Sequence, residues 1–217
     1  MIALDPLGDR GFLARFGSEA EARDWAEATL GADLPGVLDV VLAYRAVGVF
    51  ADPERVKLEA LAQDLAALTP PIASGAIGRL RVLPVLYDGE DLREVAERVG
   101  KSVDEVISLH SGREYRVLAV GFLPGFPYAG DLAPELSGLA RRDQPRTRVP
   151  AGSVAIAGRQ TGVYPGESPG GWHLLGRTPL RIVDADREFF PIRAGDRLRF
   201  VPMDRAEYSE REGEWLA

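Results

Sequence analysis

The sequence has no cysteine, which excludes disulfide bonds, thiolate catalysis and zinc sites built on cysteine. It has only two histidines, His110 and His173, which are too few for a histidine-rich metal cage. No apolar run approaches the about 18 residues that a membrane-spanning helix needs, and the N-terminal segment MIALDPLGDR lacks the basic and apolar parts of a secretion signal. These absences predict a cytoplasmic protein that does not associate with membranes.

Positive charge is also scarce, because 26 lysines and arginines face 33 aspartates and glutamates, for a net charge of −7 in 217 residues. Binding of nucleic acid through its phosphates would work against this overall charge. The hydrophobic fraction of 46% and the charged fraction of 27% are those of an ordinary globular protein. A chain of this length can form one large domain or two small ones, and a local cluster of cations must hold any anion that it binds.

The first 86 residues predict strands and helices in the order β-α-β-β-α-β. In this prediction Asp52-Pro53 starts the second helix, Pro70-Pro71 stops it, and the last strand lies at about residues 79–86. The order is typical of the split-βαβ, ferredoxin-like arrangement. We therefore predict an α+β ferredoxin-like domain over residues 1–86.

The pattern changes after Tyr87 to two helices, residues 92–99 and 103–110, which are joined through Gly100. From residue 115 onward, short apolar runs alternate with Gly and Pro turns, which is typical of a small barrel or sandwich. We therefore predict a second domain, mostly of β-strands, over residues 87–217.

Four arginines lie within eight positions of the segment RRDQPRTRVP (141–150): Arg141, Arg142, Arg146 and Arg148. A guanidinium group is always charged and can hold a carboxylate or a phosphate through two parallel hydrogen bonds. The segment is therefore a candidate anion site. A solvated loop with salt bridges to nearby acids explains the same residues equally well.

The segment QTGVYPGESPGGWHLLGRT (160–178) places polar side chains among glycines and ends with Arg177. Its polar side chains Gln160, Tyr164 and Ser168 could contact an amide or a carboxylate. The backbone N–H groups of Gly170 and Gly171 could form an oxyanion-type nest, whereas Trp172 is more typical of a barrel core. The tight turns of a small barrel would produce a similar composition.

The segment GFLPGFPYAG (121–130) places Phe122, Phe126 and Tyr128 among turn residues, which suits a wall that excludes water beside a site. A strand end that is plugged by aromatic side chains is the alternative. His110 falls at the end of a predicted helix, where a single histidine is more often structural than catalytic.

Several known motifs are missing or incomplete. Gly100-Lys101-Ser102 resembles the end of a phosphate-binding P-loop, but Val95 stands where that motif requires glycine. The second helix of the pair carries Asp104 and Glu105 at its start, which does not favour a DNA-binding helix-turn-helix. The chain also has no nucleophile elbow, HExxH helix or CxxC pair. No self-sufficient catalytic group is evident, which favours a component of a larger enzyme or a binding protein.

Four segments together closely resemble the family of 5-oxoprolinase B-type subunits: YDGEDLREVAERVGKSVDEVISLHS (87–111), GFLPGFPYAG (121–130), PRTRVPAGSVAIAGRQTGVYPGESPGGWHLLGRTPLRIVD (145–184) and AGDRLRFVP (194–202). This family is also called allophanate hydrolase subunit 1, and it includes the KipI inhibitor of a sporulation histidine kinase. The similarity is most specific over residues 87–202. Before residue 86, the order of elements agrees with the family's N-terminal domain.

The resemblance implies a ferredoxin-like N-terminal domain and a cyclophilin-like β-barrel domain. It implies the B-type component of an ATP-dependent 5-oxoprolinase, which opens 5-oxo-L-proline to L-glutamate and is inactive without a C-type homologue (KipA-like) and an A-type homologue. ATP would be shared with these partner subunits, and Mg²⁺ could accompany it. Two alternatives stay open: a KipI-like inhibitor that binds a sensor histidine kinase, and a component of a hydrolase related to urea or allophanate.

The resemblance also implies roles for individual residues around a small anionic amide. His110 would carry a proton, and Arg142 and Arg146 would clamp a carboxylate or a phosphate. The remaining substrate-binding positions would be Gln160, Tyr164, Ser168, Gly170, Gly171 and Arg177. None of these residues is expected to bind a metal.

Overall fold

A computed structural model describes residues 2–68 and 78–217, and the chain divides into two compact units, residues 1–77 and 78–217. The described elements of the first unit are β1 (Leu4–Pro6), β2 (Gly11–Arg15), α1 (Glu19–Gly31), β3 (Val37–Ala43), β4 (Ala46–Ala51) and α2 (Leu58–Ala67). The strands form an antiparallel sheet of order β1-β2-β4-β3. The first unit therefore combines helices with an antiparallel sheet.

Helix α1 begins at a capped N-terminus, where the Ser18 hydroxyl accepts a hydrogen bond from the Glu21 N–H at 3.2 Å. Its buried residues are Ala22, Trp25, Ala26 and Thr29, which recur at the spacing of one helix face. This face joins the apolar side chains of β2 and β4 in one core. These four residues therefore form the packing face of the helix.

Helix α2 begins later than the sequence predicts. The Asp52 carboxylate accepts a hydrogen bond from the Glu54 N–H at 3.0 Å, so Asp52-Pro53 forms a turn, and the helix starts at Leu58. The predicted stop at Pro70-Pro71 lies outside the described residues.

The strand that was expected to complete the first domain belongs to the second unit. β5 (Leu80–Val85) pairs in parallel with β13 (Arg197–Pro202), with Leu83 opposite Phe200. Leu83 and Val85 are fully buried in the core of that unit. In the first unit β1 already occupies the edge beside β2, and the division between units falls before β5 rather than near residue 86.

The second unit contains most of the strands and three α-helices within its described residues. Besides β5 and β13, its elements are α3 (Leu92–Val99), α4 (Val103–Ser111), β6 (Glu114–Val120), β7 (Pro127–Gly130), a 3₁₀ turn (Pro134–Leu136), β8 (Arg146–Val149), β9 (Ser153–Ala157), β10 (Gln160–Val163), β11 (Ser168–Gly170), β12 (His173–Arg177) and α5 (Arg205–Arg211).

The strands of this unit close into a barrel. Hydrogen-bonded neighbours follow the order β5-β13-β6-β7-β10-β9-β12. The barrel closes between β12 and β5, because Leu86, just after β5, exchanges two backbone hydrogen bonds of 2.9 and 3.0 Å with Arg177 at the end of β12. β8 and β11 form a separate antiparallel pair. The apolar run at residues 180–183 is irregular chain, with an isolated bridge at Arg181.

Helices α3 and α4 form where the sequence predicts them, and they pack against the barrel core. Gly100 ends α3 in the left-handed conformation, at φ 67°, and Ser102 and Glu105 form a reciprocal capping box at the start of α4. α4 buries Val106 and His110. Among the described helices, none is long and apolar enough to cross a membrane.

Candidate functional site

The second unit contains a cavity of about 230 Å³ with an aromatic wall. Phe122, Phe126, Tyr128, Tyr164 and Trp172 form this wall. The remaining lining residues are Arg141, Pro145, Pro169, Gly170 and Gly171. The two segments that the sequence singled out for aromatic and glycine-rich chemistry therefore meet at one cavity.

Phe126 is the centre of the aromatic wall. Its ring makes edge-to-face contacts with Tyr128, Tyr164 and Trp172 at centroid distances of 5.0, 5.1 and 5.4 Å. Phe126, Tyr164 and Trp172 are almost fully buried. Trp172 is therefore both a core residue and a wall of the cavity, and the expected exclusion of water fits this geometry.

Tyr164 is a buried phenol of the cavity wall. Burial raises the pKa of Tyr164, and the backbone N–H of Trp172 opposes that shift. The absence of a side chain at Gly170 makes room for the ring, because a Cβ there would lie 2.9 Å from Tyr164 Cζ and 3.0 Å from Cε1. Tyr164 thus stays protonated at neutral pH, with its ring packed closely against Gly170.

Arg141 supplies the positive charge of the cavity. It is exposed, and within the described parts of the chain it makes no ion pair. Its charge acts on Tyr164, where it lowers the pKa of the phenol against the larger effect of burial. The sequence placed Arg141 in the cluster of four arginines but did not distinguish it from its neighbours.

Arg142 and Arg146 do not line the cavity, which does not support their expected role as ligand clamps. Arg142 Nη1 and Arg146 Nη2 both donate to Asp91 Oδ1 at 2.7 Å, and the Leu174 N–H donates to Asp91 Oδ2 at 2.7 Å. Each guanidinium also meets a glutamate: Arg142 contacts Glu94, and Arg146 contacts Glu90. The two arginines are therefore neutralised within the protein.

Asp91 is the residue that the sequence did not reveal. Its side chain is 3% exposed, and burial alone would raise its pKa. The hydrogen bonds from Arg146 and Leu174 and the charges of both arginines outweigh burial, so the pKa lies below its ordinary value. Although Asp91 precedes helix α3, its carboxylate does not cap that helix. It ties the start of α3 to β12 and to the segment that carries Arg141 and Pro145.

His110 is buried away from the cavity lining, which does not support its expected role as a proton carrier. Its Nδ1 lies 2.7 Å from the Tyr87 hydroxyl, and its Nε2 lies 2.8 Å from Thr161 Oγ1. Because the Thr161 hydroxyl donates to the Ala155 carbonyl, Nε2–H donates to Thr161 and Nδ1 accepts from Tyr87. Burial lowers the pKa of His110 to about 3, so the ring is neutral.

Three further predicted positions lie outside the cavity lining. Gln160 starts β10 opposite Gly130 and Ala157. The Ser168 hydroxyl donates to the carbonyl of Pro169 at 3.1 Å. Arg177 forms a two-point ion pair with Asp88, at 3.2 and 2.9 Å.

Gly170 and Gly171 line the cavity but do not form the expected nest. Neither of them has a positive φ, and Gly170 belongs to strand β11, so the alternating backbone conformations of a nest are missing. The Gly171 carbonyl accepts a hydrogen bond from the Arg142 N–H at 2.8 Å. Gly170 lets the chain approach Tyr164 closely, whereas a Cβ at Gly171 would make only ordinary van der Waals contact with Pro145, at 3.6 Å.

Metal-binding side chains do not cluster in the described residues. Within residues 2–68 and 78–217, no group of three or more His, Asp or Glu side chains could hold an ion. Three acidic residues beside the arginine segment, Glu90, Asp91 and Glu94, are engaged by Arg142 and Arg146.

Comparison with known proteins identifies the family. The family model of the carboxyltransferase domain, subdomains C and D, matches residues 2–191. The B-type subunit of the 5-oxoprolinase of Escherichia coli O157:H7 is 41% identical to the chain over 195 residues, which cover 85% of this chain and 86% of that protein. The chain belongs to the family of 5-oxoprolinase B-type subunits. The resemblance carried by the segments between residues 87 and 202 is therefore confirmed.

Solved structures extend the comparison. The crystal structure of TTHA0988 superposes with a TM-score of 0.81 at 46% identity, covering 90% of this chain but only 40% of that longer chain. The urea carboxylase of Kluyveromyces lactis superposes with a TM-score of 0.69 over 96% of this chain and 22% of its own length. Its identity is 18%, so this similarity concerns the fold alone.

Proposed function

We propose that this member of the family works as one component of an ATP-dependent 5-oxoprolinase, a hydrolase, and that its aromatic cavity binds 5-oxo-L-proline. One observation carries the assignment to the cavity: Arg141, a cation without an ion pair in the described chain, lies at a small pocket whose other walls are aromatic rings, prolines and glycines. A cation beside an apolar wall suits a small ring that bears one carboxylate.

Each part of the cavity has a role in this proposal. Arg141 holds the carboxylate of the substrate. The aromatic walls exclude water from the ring, and the protonated Tyr164 hydroxyl donates a hydrogen bond to the amide oxygen. Asp91, Arg142 and Arg146 do not touch the substrate but hold the segment that carries Arg141. His110 has a structural role in the barrel.

The cavity is too small for ATP, so we assign ATP to a site formed with the partner subunits. The cavity of about 230 Å³ is smaller than the about 300–1,000 Å³ of sites for drug-sized ligands, and a nucleoside triphosphate is at least of that size. A lactam is a poor electrophile, and phosphorylation of its oxygen would create a leaving group before water attacks. In this proposal ATP is bound with the partner subunits, and no residue of this chain is assigned to Mg²⁺.

We also propose partner subunits, a fold for each unit and a cytoplasmic location. The relatives are named as the B components of their enzymes, which implies further components, and we propose a C-type homologue, KipA-like, and an A-type homologue in the cytoplasm. We also propose that the first unit is ferredoxin-like, with β1 at the edge position, and that the barrel carrying the site is cyclophilin-like. The names of the relatives do not favour the kinase-inhibitor or urea-related alternatives.

Reconstitution tests the function. The purified chain should release no ADP from ATP in the presence of 5-oxo-L-proline. The chain with its A-type and C-type partners should release ADP and form glutamate in equal amounts, and omission of any one component should stop both. A complete mixture that hydrolyses no 5-oxo-L-proline, or a chain that does so alone, would contradict the proposal.

A further inference from the structure

Phe122 combines three features that belong together at a binding site. Its side chain is 62% exposed, it lines the cavity, and its backbone has a φ of 67°. Positive φ is uncommon for residues other than glycine, and it is a real outlier for a bulky side chain. Strain of this kind persists where the surrounding structure or a function requires it.

The local hydrogen bonds define the strained turn. The Leu123 N–H donates to the Gly121 carbonyl at 2.9 Å, which makes Phe122 the central residue of a three-residue turn. With positive φ this is the rare γ-turn, not the common inverse form. The turn is fastened at both ends, because the Gly121 N–H donates to the Phe126 carbonyl at 3.1 Å and the Phe126 N–H donates to the Leu123 carbonyl at 3.0 Å.

A glycine in place of Phe122 would relieve the backbone strain of this turn. Glycine adopts positive φ at little cost, and the turn already contains Gly121 and Gly125 on either side of Phe122. A phenylalanine at this position gains little from burial, since most of its surface is exposed. The ring does meet Phe126 edge-to-face at a centroid distance of 5.7 Å and an interplanar angle of 85°, which places it beside the cavity wall.

We propose that Phe122 is a specificity-determining residue whose ring covers the cavity and packs against the flat amide of a small ring carboxylate. This inference rests on the proposed function and deepens it, because it names a planar amide, beside the carboxylate, as the feature that the cavity recognises. Arg141 holds the carboxylate, and Phe122 selects the flat face.

Three substitutions in the reconstituted complex separate stacking from other effects. Phe122→Tyr keeps a flat ring, Phe122→Leu keeps an apolar side chain that is not flat, and Phe122→Gly removes the side chain and relieves the turn. We expect KM for 5-oxo-L-proline to change less than about twofold for Tyr but to rise about tenfold for Leu and Gly, since one stacked ring accounts for roughly a factor of ten. Because the chemistry does not involve this ring, kcat should change little.

Tyr44→Gly is the matched control, because Tyr44 is another exposed aromatic residue with positive φ, 56°, in the first unit. Both Gly variants should melt at or above the wild-type temperature, and only Phe122→Gly should raise KM. The proposal is overturned if Leu and Gly leave KM unchanged. It is also overturned if they weaken only the association with the partner subunits, which would make Phe122 part of an interface. A wild-type complex that does not act on 5-oxo-L-proline refutes the proposed function instead.

Discussion

Replacement of Asp91 by asparagine should destabilise the second unit strongly. The change removes the charge that both Arg142 and Arg146 contact at 2.7 Å, and it sets an amide against three N–H donors. Removal of one partner of a buried ion pair costs about 3–5 kcal/mol. The arginine side chains are 29% and 18% exposed, so water recovers part of this loss. We therefore expect about 3 kcal/mol, which for a chain of this size lowers the melting temperature by about 6–12 °C.

Asp88→Asn is the matched control for this measurement. Asp88 also contacts two arginines, Arg177 at 2.9 Å and Arg205 at 3.2 Å, but its side chain is 28% exposed and those of the arginines are 42% and 73% exposed. Exposed pairs contribute about 0–1 kcal/mol, so this variant should melt within about 4 °C of the wild type. If Asp88→Asn and Asp91→Asn lower the melting temperature equally, burial does not strengthen the Asp91 ion pairs. Asp91 would then not be the residue that holds Arg142 and Arg146 in place.

The pH dependence of the melting temperature tests the role of Asp91 a second time. The pKa of Asp91 is lowered in the folded chain, so its stabilising effect is complete above its unfolded pKa and is lost as the pH falls through the folded value. The difference in melting temperature between wild type and Asp91→Asn should therefore be constant from about pH 5 to 8 and shrink below about pH 4. A difference that grows on acidification would contradict this assignment.

Two further predictions follow from buried groups. His110 has a pKa of about 3 in the folded chain, so its stabilising effect is complete above the unfolded pKa of about 6.5 and decreases by about 1.4 kcal/mol per pH unit below it. In urea denaturation, the free energy of unfolding should fall between pH 6.5 and 5 by about 2 kcal/mol less in His110→Gln than in the wild type. An equal fall in both proteins would argue against a neutral histidine. Gly170→Ala should destabilise by about 1–3 kcal/mol by pushing on Tyr164, whereas Gly166→Ala, with open space at its Cβ, should leave the melting temperature unchanged.

Local signals in the sequence predicted local structure well. The pair α3 and α4, its left-handed Gly100 and the Ser102–Glu105 capping box were predictable, because each depends on residues within one or two helical turns. The family was predictable for a similar reason, since its segments are continuous stretches of sequence. The aromatic residues 122, 126 and 128 also lie together on one wall, as their position in a single short segment indicated.

Long-range pairing is what the sequence did not show. β5 is a short apolar strand that could pair with either unit, and its partner β13 lies more than one hundred residues away. Likewise, four arginines within eight positions are chemically alike in the sequence. Only the structure shows that Asp91, about fifty residues earlier, neutralises Arg142 and Arg146, while Arg141 stays available at the cavity. The predicted clamps, Arg142 and Arg146, are thus paired within the protein, and Arg141 is the member of the cluster that lines the cavity.

The most direct test compares Arg141→Ala with Arg148→Ala in the reconstituted complex. Arg148 belongs to the same segment, but its side chain is 75% exposed and pairs with Glu167 at 2.6 Å outside the cavity lining. Loss of a charge-assisted hydrogen bond costs about 1.5–3 kcal/mol, so KM for 5-oxo-L-proline should rise about 10- to 100-fold in Arg141→Ala and stay unchanged in Arg148→Ala. An unchanged KM in Arg141→Ala would show that the aromatic cavity does not bind the carboxylate of the substrate.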